Sequence, residues 1–237
     1  MSALRHRLAA EAVGSAALAA IVIGSGVMAE RIAGGNTAIA LLGNTLATAA
    51  GLYMLIVVFA PVSGAHFNPV VTLACALRRE MRAREAIAYV LVQFAAMIAG
   101  VLLAHAMFEL PWWLPSVKPR AGAAQMLSEA VATFMLLVAV FGTRARRVES
   151  AGAVVSLTIA AGYWFTASTS FANPAITLAR ALSDTFAGIR IADVPMFMLG
   201  QIAGCLVATA FAAWLFGGSA DVAAAATQEA ASPQRGR

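Results

Sequence analysis

Charge is what this sequence has least of. Its 16 basic and 11 acidic residues make up 11% of 237 positions, where an average soluble domain carries roughly 25% charge. With 61% hydrophobic residues and a mean hydropathy of +0.82, the apolar side chains cannot all be enclosed in one core, because a soluble domain of this size needs polar residues over its exterior. A soluble globular class is thereby excluded, and lipid is the solvent for the remainder. Cysteine is equally scarce: Cys75 and Cys205 stand alone in apolar surroundings, which implies packing as small hydrophobes and neither a disulfide framework nor a metal site. The sequence also lacks a nucleophile with a base, a His, Asp and Cys cluster of metal spacing, and a phosphate-cradling glycine loop. No catalytic residue, metal or cofactor is expected, and the chain is not read as an enzyme.

The few charges are unevenly placed. The windows 8–29, 38–60, 86–107, 123–142, 151–168 and 194–217 contain only Glu11 and Glu129 between them. Each is about the 20 residues that cross a bilayer as a helix; the window 151–168 is the short one and is expected to borrow a turn on either side. Trp112 and Trp113, after the third window, read as interfacial anchors. Arg5 and Arg7 before an apolar run have the outline of a signal peptide, but the run is too long, contains Glu11, and is followed by equally apolar segments.

Six spans place Arg5, Arg7, Arg78, Arg79, Arg82, Arg84, Arg144, Arg146, Arg147, Arg235 and Arg237 on one side and Arg31, Lys118, Arg120, Arg180 and Arg190 on the other. That excess puts both termini in the cytoplasm. It also accounts for the net charge of +5 and the pI near 10.0. The basic residues are scattered over short loops without aromatic platforms, so nucleic acid is not expected as a partner. Residues 218–237 have the composition of a disordered cytoplasmic tail.

The spans carry an internal repeat. Asn68-Pro69-Val70-Val71-Thr72-Leu73-Ala74 returns 105 residues later as Asn173-Pro174-Ala175-Ile176-Thr177-Leu178-Ala179, with five of seven positions identical. Glu11-Ala12-Val13 with Gly24 returns as Glu129-Ala130-Val131 with Gly142, and Gln93 and Gln201 follow the two Asn-Pro segments at similar distances. Three spans per half is an odd number, so equivalent spans run in opposite directions and the repeat is inverted. Asn is a strong N-cap and Pro is favoured at the first helical position, so each Asn-Pro segment reads as the start of a helix of about ten residues, roughly 15 Å long or half the hydrocarbon thickness. Two such half-helices entering from opposite faces would meet near the middle. Each N-terminus carries roughly half a positive charge, a barrier to cations and hydronium, while the amides of Asn68 and Asn173 still offer N–H donors to a neutral oxygen. Glu11 and Glu129 would be costly facing lipid, and free N–H groups of the re-entrant loops are their expected partners. His66 reads as a further loop-bracing residue, whereas His105 in the third span has no evident partner.

Ser63-Gly64-Ala65-His66-Phe67-Asn68-Pro69 and Phe171-Ala172-Asn173-Pro174-Ala175 match the two signature loops of the aquaporins, the major intrinsic protein family, and Glu11 and Glu129 stand in family positions. The chain resembles this family over about residues 7–217. The resemblance implies an all-α membrane protein of six transmembrane helices plus two re-entrant half-helices. It implies one channel domain over 1–217, with repeats about 7–108 and 123–217, assembled as a homotetramer in a bacterial inner membrane. Transport would be passive diffusion of water or small uncharged solutes, with the lipid bilayer and those solutes as the partners. An ion-coupled secondary transporter, which also uses inverted repeats and broken helices, is the alternative.

The departures from the family pattern bear on substrate. Most members carry an Arg directly after the second Asn-Pro-Ala, lining the narrow outer constriction; here that position is Ile176. Arg180 lies one turn further on and is expected to face a headgroup or another loop. By family spacing the other constriction positions fall on Thr48, on Ala161 or Gly162, and on Ser170, none of them aromatic or charged. Val70 in place of the usual Ala adds two methyl groups near the midplane. A wider, less polar constriction follows, admitting neutral solutes such as glycerol or metalloid hydroxides. Bacterial members with an aliphatic residue in place of the Arg are associated with arsenic detoxification, which points to arsenous acid.

Overall fold

A computed structural model describes the backbone of residues 3–146 and 151–231, and the side chains of these as far as Phe216. Among the described residues there are eight α-helices, α1 (Leu4–Ile32), α2 (Thr37–Ser63), α3 (Pro69–Leu77), α4 (Ala83–Met107), α5 (Ala123–Ala145), α6 (Ala151–Phe165), α7 (Pro174–Arg180) and α8 (Val194–Ala231), and a single 3-10 turn, Ile191–Asp193, leads into α8. By length and composition α1, α2, α4, α5 and the segment Ile191–Phe216 are long and apolar enough to cross a membrane. Among the described residues the one β-type pairing is an isolated bridge between Leu114 and Ser183.

Two expectations are corrected here. The 15 residues of α6 span about 22 Å at 1.5 Å per residue, and the helix stops at Phe165 instead of borrowing a turn past 168, because the chain must turn back there to reach Asn173. Residues 147–150, which include Arg147, lie outside the described residues. The tail expected to be disordered from 218 is helical as far as Ala231: its alanines have the highest helix propensity, and no proline interrupts the run before Pro233. Residues 232–237, with Arg235 and Arg237, lie outside the described residues.

The packing follows the repeat. α1 lies against α2 and α4, α5 against α6 and α8, α2 meets α6, and each half-helix contacts both α4 and α8. Lipid gives helices no hydrophobic reason to associate, so close backbone approach through small residues has to do it. A Cβ on Gly100 would run into the Ala16 carbonyl, and Cβ atoms on Gly200 and Gly204 into the carbonyls of Met126 and Ala130.

The two half-helices hang from buried carboxylates. Glu11 accepts the His66 N–H at 3.0 Å, the Phe67 N–H at 2.7 Å, the Ser63 hydroxyl at 2.7 Å and the Gln93 amide at 2.8 Å. Glu129 accepts the Phe171 N–H at 2.9 Å, the Ala172 N–H at 2.8 Å and the Gln201 amide at 2.6 Å. Each glutamine also donates to the threonine four residues after the Asn, Gln93 to Thr72 at 3.0 Å and Gln201 to Thr177 at 2.8 Å. The loops need this support because their backbone is left-handed in matching places: φ is 50° at both Ala65 and Ser170, and 46° at both Phe67 and Ala172. Such a residue costs roughly 1–2 kcal/mol when it is not glycine.

Removing the carboxylate should therefore release the loop. In Glu129→Ala two buried N–H groups and an amide lose their acceptor at about 1–3 kcal/mol each. Unfolding of the purified protein should shift down by several degrees or more, and Glu129→Gln, which keeps one acceptor oxygen, should fall between. Gly100→Val should destabilise by at least the ~1–3 kcal/mol of ordinary overpacking, since the obstructing atom is backbone. A thermal-unfolding midpoint equal to the wild type's would refute that reading of the α1–α4 contact.

Candidate functional site

The two Asn residues cap their helices and then bind each other's loop. The Asn68 Oδ1 accepts the Val70 N–H at 3.0 Å, and the Asn173 Oδ1 accepts the Ala175 and Ile176 N–H groups at 3.0 and 3.3 Å. The Asn68 Nδ2 donates to the Ala172 carbonyl and the Asn173 Nδ2 to the Phe67 carbonyl, both at 2.8 Å. Pro69 and Pro174 occupy the first helical positions. The half-helices thus meet N-terminus to N-terminus, and each amide, with two N–H bonds, has one left over to present elsewhere.

Both Asn residues line a cavity of about 130 Å³. On the side of the chain termini its wall includes Thr143 and Arg144, and on the far side Thr48, Tyr163, Phe171 and Arg180. Its apolar wall includes Leu18, Val22, Leu52 and Leu136 from the long helices, and Val71 and Ile176, the same position of the two repeats, three residues after each Asn. Val70 and Ala175, one residue earlier, are buried and do not line it, and the Val70 carbonyl accepts from Cys205 Sγ. Glu11 and Glu129 are fully buried in the bracing network and do not line it either.

At the far-side constriction Thr48, Ser170 and Ile176 all face the cavity. Of the two alternatives in the fifth span, Ala161 is exposed on the outside of α6, which corrects it as a lining position. Gly162 is buried and lies so close to Ser170 that a Cβ there would meet the serine side chain. The aromatic group that the sequence reading did not find is Tyr163, one residue on, whose hydroxyl is 3.3 Å from Thr48 Oγ1. The run Tyr163-Trp164-Phe165 was the available signal; only helix phase distinguishes its inward member from Trp164 and Phe165, which are exposed.

Arg180 also differs from expectation. It does reach another loop, donating from Nε to the Ala187 carbonyl, but it is 2% exposed, stacks 3.3 Å over the centre of the Phe171 ring, and lines the cavity. The reason is helical geometry: residues four apart lie on one face, so Arg180 stands one turn beyond Ile176 on the same side. Phe171 also carries Arg120 over its ring, at 5.0 Å.

The other two sites resolve as braces. His66 places Nδ1 3.0 Å from Thr72 Oγ1 and Nε2 3.7 Å from Cys75 Sγ. His105 does have partners: Nδ1 is 2.8 Å from the Pro111 carbonyl and Nε2 2.9 Å from Ser183 Oγ, tying the end of α4 to the loop after α7. Both partners lie in loops outside the helix, Pro111 just after it and Ser183 in the second half of the chain, which is why the third span alone did not reveal them.

Residues 1–169 match the family model described as "Major intrinsic protein". The chain is 48% identical over 213 residues to the aquaglyceroporin AqpS of Rhizobium meliloti, covering 90% of this chain and 91% of that protein. It is 30% identical over 245 residues to a protein described as probable aquaporin AqpM of Archaeoglobus fulgidus, covering 90% and 96%. Among solved structures, the aquaglyceroporin from Plasmodium falciparum superposes with a TM-score of 0.61 at 20% identity, over 89% of this chain and 94% of that one. An inverted repeat with two facing Asn-Pro half-helices, a cavity running past them, and relatives matched over nine-tenths of the chain lead to one conclusion: the chain belongs to the major intrinsic protein family.

Proposed function

We propose that this member of the family conducts uncharged solutes larger than water, arsenous acid and other metalloid hydroxides among them, through a constriction that has an aliphatic residue where a filter arginine would stand. Membership itself makes the chain a passive channel for water and small neutral solutes such as glycerol. The finer reading is carried by Ile176, which lines the cavity beside Thr48 and Ser170 and leaves that level without a fixed charge. An isoleucine offers a passing solute no hydrogen bond and demands none, so hydroxylated solutes with apolar edges lose little there. The Thr48, Tyr163 and Ser170 hydroxyls are the polar counterpart on the remaining wall.

Asn68 and Asn173 act at the midpoint. Each presents one amide N–H to a solute oxygen while the helix N-termini behind them repel cations. The alternative of an ion-coupled transporter loses support, because such a mechanism couples its ions at membrane carboxylates and Glu11 and Glu129 are each held by three or more donors away from the cavity. The charge asymmetry of the loops supports cytoplasmic termini in a bacterial inner membrane, and the family resemblance supports a homotetramer with one pore per subunit.

Stopped-flow light scattering on proteoliposomes should show water, glycerol and arsenous acid all crossing faster than through bare lipid. Acceleration of water alone would overturn the proposal. Ile176→Arg should reduce glycerol and arsenous acid flux about tenfold, equivalent to ~1.4 kcal/mol of added barrier, and water flux by clearly less. Equal loss for all three would count against Ile176 as the filter position.

A further inference from the structure

Directly beyond the filter, on the side away from the termini, lies a second recess of about 260 Å³ that shares Arg180 with the pore cavity. Lys118 and Arg120 line it with Arg180, together with Thr169 and Trp164, and no acidic residue does. Three cations at one mouth require explanation, since Arg180 is buried, Lys118 and Arg120 are half-buried, and charges taken out of water are ordinarily paired.

These are not paired. Among the described residues the ion pairs join Arg7 to Glu85, Arg78 and Arg144 to Glu80, and Arg190 to Asp193; none involves Lys118, Arg120 or Arg180. The nearby carboxylates are engaged otherwise. Glu30 accepts the Phe186 N–H at 3.1 Å, Asp184 the Val117 N–H at 3.1 Å, and Asp193 the Arg120 N–H at 2.8 Å besides its bond to Arg190. What the protein supplies to the three cations is neutral carbonyls and a hydroxyl: Lys118 Nζ donates to Phe186 O at 2.8 Å, and Arg120 Nε to Gly188 O at 2.8 Å. Arg120 Nη1 reaches Ser168 O at 3.2 Å and Thr169 Oγ1 at 3.4 Å, and Arg180 bonds through Nε alone. The carbonyls fix where each head group sits and leave it without a directly bonded carboxylate; Glu30 and Asp184 act on Lys118 only through space. Both Nη atoms of the buried Arg180, Nη2 of Arg120 and two ammonium protons of Lys118 have no protein acceptor among the described residues. Burial, and then the charge of Arg120, hold the Lys118 ammonium below the ordinary lysine range.

We propose that this recess is a binding site for a small oxyanion, held by Lys118, Arg120 and Arg180 at the far mouth of the pore. A tetrahedral or planar oxyanion can accept several charge-assisted hydrogen bonds from guanidinium forks, and it supplies the direct anionic acceptor that the described residues do not. The same chemistry is offered by a free inorganic ion and by the phosphate of a lipid headgroup, for which exposed Trp164 at the rim would be the neighbour. The position over the pore rests on the channel reading; the binding itself does not.

Titration calorimetry of the purified full chain in a phosphate-free, non-ionic detergent, with inorganic phosphate as the probe, should give saturable binding of about one ion per chain. Arg180→Gln and Lys118→Gln should each weaken it about tenfold or more, the worth of a charged hydrogen bond, and Arg180→Lys should restore part. Lys118, on the loop, keeps the test open should Arg180→Gln not fold. Competition by short-chain phosphatidylglycerol assigns the site to headgroups, and its absence to a free ion; either supports an oxyanion site. No saturable binding, or binding unchanged in both glutamine variants, overturns it. In proteoliposomes, added phosphate should slow glycerol flux in the wild type, and in Lys118→Gln by a smaller fraction of that variant's own phosphate-free rate. Binding without slowing would overturn the position over the pore while leaving the channel reading intact.

Discussion

A backbone that leaves the helix at membrane depth must find acceptors for its N–H groups inside the protein, and here Glu11 and Glu129 supply them. The rest of the site depends on that. Held by the carboxylates, the residues before each Asn adopt left-handed conformations at matched positions, which aims the Asn side chains at each other's loop and sets the half-helices end to end. The glutamines of α4 and α8 join each glutamate to the first turn of its half-helix, so bracing and pore geometry form one network. The carboxylates do this from behind the wall, and no ionisable group is needed at the midpoint.

Along the pore the two halves are alike at the centre and unlike at the ends. Val71 and Ile176 hold equivalent positions, and Asn68 and Asn173 make equivalent bonds. The terminal-side mouth has Arg144, which pairs with Glu80. The far mouth has Arg120 and Arg180 stacked on Phe171, with no carboxylate ion-paired to either among the described residues. Charge absent at Ile176 is thus present one helical turn away at Arg180, where it shapes the potential that a solute meets before it reaches the two Asn residues.

Patterns that repeat along the chain were legible in the sequence, and contacts between distant segments were not. Apolar windows located the spans because lipid leaves little freedom in where a charge can sit. The two Asn-Pro copies and the two glutamates located the half-helices and their braces because capping and burial impose specific residue types. Gly162 against Ala161, and Tyr163 against Trp164, differ only in helix phase, which spacing borrowed from a family does not fix to one residue. The partners of Arg180 and His105 come from irregular loops whose course the helical pattern does not set: Ala187 for Arg180, seven residues on, and Ser183 for His105, 78 residues on. The helical stretch 218–231 was misjudged because an alanine run reads as low complexity and as a good helix former equally well.

The crossed bonds between Asn68 and Ala172, and between Asn173 and Phe67, bear on biogenesis. During synthesis the first half emerges more than a hundred residues before its mates, so the Phe67 carbonyl and the spare Asn68 amide wait without their native partners until the second loop enters. Neither repeat is a finished unit on its own. The insertion machinery, water or a transient arrangement must shelter those groups in the interval, and closure of the pore centre is the event that ends it.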